Sequence, residues 1–192
     1  MNPFPDEPTL QNGANPFPFN PLNKNGMIRE KNAQSALIGL MTILVMVLIA
    51  GGLVDIYRLY AARNWAYSVA QEAALTGASR GRDWAAVAAT GNIQLTPALA
   101  VSQSQQVVSA QMASRGIAGY TVDIRILPAP GGGTIPGYPP SLVRLGESRG
   151  FWSSNEPAVG VYLTLPVDWL ILDGFGIAEK SISVFASAGV AN

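Results

Sequence analysis

From Ala36 to Val54 the chain reads ALIGLMTILVMVLIAGGLV, nineteen positions without a charge, in which Thr42 carries the one polar side chain. A bilayer hydrocarbon core about 30 Å thick needs roughly 20 apolar residues, each rising about 1.5 Å along a helix. The run meets that length, whereas a buried helix of a soluble domain normally shows a polar face. It predicts a transmembrane helix over residues 33–54. Past Val54 the helical pattern continues but becomes amphipathic. Asp55 to Ser79 contains no proline and one glycine, Gly77. Leu59, Ala62, Ala66, Val69 and Ala73 recur at steps of three and four, with Arg58, Asn64, Ser68, Gln71 and Glu72 mostly off that stripe. A helical continuation over 55–79 follows, and an unbroken helix from Ala33 to Ser79 would be about 70 Å long.

Downstream, Asp83 is placed to cap a short helix ending at Thr90, and Gly91-Asn92 closes it. Thr96-Pro97 opens a second amphipathic helix that runs to Arg115-Gly116, proline being suited to a first helical position. The period then changes to two. Tyr120, Val122, Ile124 and Ile126 alternate with Thr121, Asp123 and Arg125; Val159, Val161, Leu163 and Leu165 with Gly160, Tyr162 and Thr164; Ile182, Val184, Ala186 and Ala188 with Ser181, Ser183, Phe185 and Ser187. Three half-buried strands are expected, in an antiparallel sheet with one face on the helices. The fold class is α+β: a long N-terminal transmembrane helix leading into a small extracytoplasmic domain, residues 55–192. The long loop 128–157 carries PAPGGG, PGYPP and Phe151-Trp152. Loops of that length inside a domain are often functional, and its aromatics are expected to be exposed.

Residues 1–32 are rich in proline and asparagine, hold NPFP twice (Asn2 to Pro5 and Asn15 to Pro18), and show no period. They are expected to be a disordered or extended cytoplasmic tail. The apolar run is longer than the h-region of a secretory signal and begins after some thirty residues, so an uncleaved signal anchor is expected. Lys24, Arg29 and Lys31 precede the span; Arg58 and Arg63 follow it. That bias favours an N-terminus in the cytoplasm and a C-terminal domain outside the inner (plasma) membrane. Arg29, Lys31, Asp55, Tyr57, Arg58, Tyr60 and Trp65 are the expected membrane-interface residues, the aromatic rings at headgroup level. Leu59, Ala62, Ala66, Phe151 and Trp152 are the expected partner contacts.

Composition narrows the chemistry. Formal net charge is zero and 12% of residues are charged, so there is no basic stripe for nucleic acid. The chain has neither cysteine nor histidine, which removes thiolate nucleophiles, the usual zinc sites and the commonest general base. Glu147 and Glu156 flank Phe151-Trp152 without a catalytic framework, and Gly131-Gly132-Gly133 lacks the strand-to-helix setting of a phosphate cradle. No enzyme activity, cofactor, metal or small-molecule substrate is expected; the expected partners are membrane lipid and other proteins, a second copy included.

One ordered combination of residues is more specific. Gln34 at the mouth of the span, Asp55-Ile-Tyr-Arg58 just beyond it, the Tyr60 to Asn64 run YAARN, and the small residues Ala70, Ala73, Ala74, Gly77 and Ala78 together resemble the TadE/TadG-like family. These are pilin-like membrane proteins of tight-adherence (Flp-type) pilus assembly. The resemblance covers about a quarter of the chain, Ala33 through Gly81. It implies a pilin-like fold and a structural role in pilus assembly or secretion through protein–protein packing. Leu37, Ile38 and Gly39 stand where such proteins commonly carry the glutamate used by a prepilin peptidase, so the chain is expected to keep its tail. Two other expectations are an accessory anchored subunit of a different membrane complex, for example an energy-transducing one, and an outward-facing binding or sensor module.

Overall fold

The computed structural model describes residues 24–140, 150–169, 176 and 181–191, with side chains from Gln34 onward. Its contacts divide the chain after Met46 into two units. The described part of the first is helix alone. Helix α1, Lys24–Arg80, runs through that unit and into the second as one element of 57 residues. It starts inside the stretch read as tail, three residues after the last proline of that stretch, Pro21. With proline gone nothing forbids helix, and Gly26 alone costs about 1 kcal/mol relative to alanine. Both NPFP copies lie outside the described residues, and so do the side chains of Arg29 and Lys31.

Residues 47–192 form the α+β unit. Asp83 caps α2 (Trp84–Thr90) by accepting a hydrogen bond from the Ala86 amide at 3.0 Å, and Gly91 ends it in the left-handed region at φ 73°. Thr96 precedes α3 (Pro97–Ser114) without a side-chain cap bond; proline at the first position removes one amide that would need it. The three expected strands are present: β1 (Thr121–Leu127), β4 (Ala158–Pro166) and β5 (Ser181–Gly189) form an antiparallel sheet in the order β1-β4-β5. Thr121 pairs with Thr164 and Leu127 with Ala158; Ala158 pairs with Gly189 and Pro166 with Ser181.

One face of this sheet meets the helices. Val159, Val161, Leu163 and Leu165 of β4 and Val184, Ala186 and Ala188 of β5 are buried with Ala66, Val69, Ala70, Ala73, Ala74 and Ala78 of α1 and Ala100, Val108 and Met112 of α3. The alanines of α1 let α3 come close. A Cβ on Gly77 would collide with Ser104 Oγ and lie 3.0 Å from the Ala100 carbonyl, and one on Gly81 would lie 2.6 Å from Ala100 Cβ. Ser104, fully buried, donates from Oγ to the Ala73 carbonyl at 2.9 Å across the same crossing.

The other face departs from the sequence expectation. Residues 128–157 are not a plain loop: β2 (Gly133–Pro136) pairs antiparallel with β3 (Phe151–Ser154). Tyr138 and Trp152 from this flap are buried with Leu127 and Ala158, against Ile135, Tyr162 and Phe185. The sheet is therefore covered on both sides at β4, in three layers. Trp152 is 6% exposed, a correction to the expectation of an exposed contact residue, while Phe151 is 57% exposed. Alternation along β3 separates the two neighbours, one ring pointing to the sheet and the next away.

Candidate membrane anchor and contact surface

Fourteen large apolar side chains between Leu37 and Ile56 are exposed, all on α1. Each would gain about 1.5–3 kcal/mol on full burial, so together they outweigh the roughly 5–15 kcal/mol that holds a typical domain folded. A patch of this size calls for cover from outside the chain. The helix is long and apolar enough to cross a membrane. Within it, the Thr42 hydroxyl donates to the Ile38 carbonyl one turn back at 2.8 Å, so the span's polar side chain is satisfied by its own backbone.

At the end of the run the sequence-predicted residues separate into two faces. Tyr57, Arg58 and Tyr60 are exposed, Tyr57 to 71%. On the opposite side Asp55 is 1% exposed, Leu59 and Ala62 are half-covered, and Ala66 is fully buried in the core. Asp55 stands at the end of the apolar run, and its side chain is almost fully covered. One expectation needs correction. Ala66 is not an intermolecular contact, because the stripe it belongs to is filled by the protein's own sheet and α3 already at that level. Leu59 and Ala62 remain partly open.

Trp65 is half-buried and packs against the core, with the Arg115 guanidinium 4.1 Å from its ring centroid. Such a cation–π contact is worth about 0.5–1 kcal/mol where exposed. It ties the C-terminal end of α3 to α1, and Gln111 adds a second tie by donating from Nε2 to Glu72 Oε2 at 3.2 Å. Neither pairing could be read from spacing, since the partners lie 39 or more residues apart in the chain.

Tyr138 is the polar anchor of the flap. Its Oη lies 2.8 Å from the Asp123 carbonyl and 3.0 Å from that of Gly160, so one proton serves two adjacent strands. Burial, reinforced by the nearby Asp123 carboxylate, pushes its phenol well above the ordinary value near 10. The ring also meets Phe185 edge-on at 5.4 Å and Trp152 at 5.8 Å. A Cβ on Gly160 would lie 3.0 Å from both Trp152 and Tyr138 ring carbons, so the absence of a side chain there is what seats the flap. Proline and glycine around Tyr138 signalled a turn, and gave no sign that the tyrosine would be buried.

Asp123 and Arg125 form an ion pair at 2.9 Å, both substantially exposed, a surface pair worth about 0–1 kcal/mol. Among the described residues no group of three or more acidic or other metal-ligating side chains could hold an ion. Glu156, with its Oε1 against Gly189, lies in the turn between β3 and β4; Glu147 is outside the described residues. The chain matches no protein-family model, no curated protein and no solved structure.

Proposed function

We propose that this chain is a single-pass membrane protein of a TadE/TadG-like pilus-assembly or secretion apparatus. It acts structurally, by packing its outer α+β domain and juxtamembrane helix against other proteins. The observation that carries the reading is the continuity of α1: one helix presents fourteen exposed apolar side chains and then becomes the central helix of a folded domain. A helix that carries the apolar run and also contributes to a domain core suits a structural, packing role. The order of long helix followed by a small α+β unit agrees with what the resemblance implies. The three basic residues before the span against two after it support an N-terminus in the cytoplasm and residues 55–192 outside the inner membrane.

Capture of the full chain from its native cells in mild detergent, with partners identified by mass spectrometry, tests the reading. Stoichiometric recovery of pilus-assembly or secretion components supports it. Recovery of the chain alone, or with the subunits of an energy-transducing complex, overturns it. In parallel, protease added to intact spheroplasts should remove the outer domain and spare an N-terminal tag; loss of the tag reverses the orientation.

A further inference from the structure

The domain reaches down to the level where the apolar run ends. Asp55 follows Val54 directly and is 1% exposed, whereas Leu53 and Ile56 in the same turn are 62% and 58% exposed. A helix does not shield one side chain so fully while leaving its neighbours open, so chain from elsewhere lies on this face. The cover is continuous upward through half-covered Leu59 and Ala62 to buried Ala66, and so belongs to the domain.

Strand direction identifies which part forms this base. At the far end of α1, Gly77 lies beside Val159, the Gly81 carbonyl accepts from Thr96, and the Leu95 amide donates to Pro128, where β1 has ended. From there α3 descends: Ala100 and Ser104 sit by Gly77 and Ala73, Gln111 by Glu72, and Arg115 by Trp65. β1 climbs back, and its partner β4 descends from Val159 to Pro166. From Val159 to Trp169 an extended chain covers about 33 Å. From Gly77 down to Asp55 the helix also covers about 33 Å. β4 itself ends at Pro166; if Val167 to Trp169 continue extended, they reach the level of Asp55, with the half-buried Trp169 at the tip. Tyr57 and Tyr60 stand about 3–8 Å above that level on the open side of α1.

We propose that this base, with Tyr57, Tyr60 and Trp169, is seated in the phospholipid headgroup layer, so that the domain stands on the bilayer instead of being held above it on a helical stalk. The inference rests on the membrane reading of α1. Its partner is the bilayer interface, where amphipathic rings are favoured and which extends some 5–7 Å beyond the hydrocarbon. Seating at two points, α1 and the end of β4, fixes the tilt of the domain as well as its height.

The chain has no cysteine, so single-cysteine variants of the full protein can carry a fluorophore. Asp168→Cys reports the base and Ser102→Cys, on the exposed side of α3 near its upper end, reports the top. In phosphatidylcholine vesicles with a nitroxide on the headgroup, the probe at 168 should lose most of its emission and the probe at 102 should keep it. Trp169 gives an independent measure when Trp65, Trp84 and Trp152 are replaced by phenylalanine. A probe at Leu44→Cys, read against lipid bearing a mid-chain nitroxide, reports the span. Quenching at 44 with none at 168 or Trp169 overturns the seating while leaving the anchor intact. No quenching at 44 overturns the membrane reading and the seating with it.

Discussion

At the scale of single residues, the crossing of α1 and α3 turns on Gly77. Its missing Cβ makes room for Ser104 Oγ and the Ala100 carbonyl, and the hydroxyl uses that room to reach the Ala73 carbonyl. Gly77→Ala should overpack the crossing and destabilise the domain by about 1–3 kcal/mol. Ser104→Ala alone should cost less, about 0.5–1.5 kcal/mol, since it removes one hydrogen bond and leaves no buried donor behind. Because the hydroxyl is the atom in the way, the double variant should be less destabilised than the two single costs added together. Thermal melts of the full chain in detergent measure all three, and simple additivity would mean that Gly77 is tight for another reason. In the sequence Gly77 was visible as the one glycine between Asp55 and Ser79, but nothing in the pattern showed that it meets α3; Ser104, in a run of serines and glutamines, gave no signal either.

At the scale of elements, the β2–β3 flap is what the sequence concealed. Four-residue strands separated by glycine and proline are too short to show a period, and the rings that hold them come from Tyr138, Trp152 and Phe185, on three separate stretches. The flap should peel away when its buried ring is removed. Trp152→Ala is expected to cost about 3–5 kcal/mol, as large-to-small changes in a core do. Phe151→Ala, one residue away and largely exposed, should change stability by less than about 0.5 kcal/mol. Denaturant midpoints of the two variants check the contrast, and equal effects would contradict the burial of Trp152. By comparison, the helices and the three longer strands were recovered from pattern alone: the Asp83 cap, the Thr96-Pro97 start and the three runs of period two each mark an element of the structure.

At the scale of the whole molecule, α1 joins an exposed apolar length to a domain core. A charge at the middle of a span costs about 2.5–3.5 kcal/mol on insertion scales. Leu44→Arg should therefore reduce the fraction of protein that stays with membranes through an alkaline carbonate wash. Leu75→Arg, at an exposed position of the same helix beyond the apolar run, should leave that fraction unchanged. Equal retention of both variants would mean that the apolar run is not what holds the protein to the membrane.

The sequence by itself determined the apolar run, the amphipathic helices and the alternating strands, because each is a local repeat with a period of 3.6 or 2 that reads directly as one face of one element. Only the tertiary structure decided what covers each face. The alanine stripe was visible as a stripe, yet whether Ala66 met a partner or the protein's own sheet depended on β4 and β5, about a hundred residues further on. That the Asp55 side chain is covered was decided by the fold, and Trp152 looked like an exposed ring until the flap closed on Gly160. Burial of a residue outside a regular period depends on contacts distant in the chain, and those arise only when the elements are packed together.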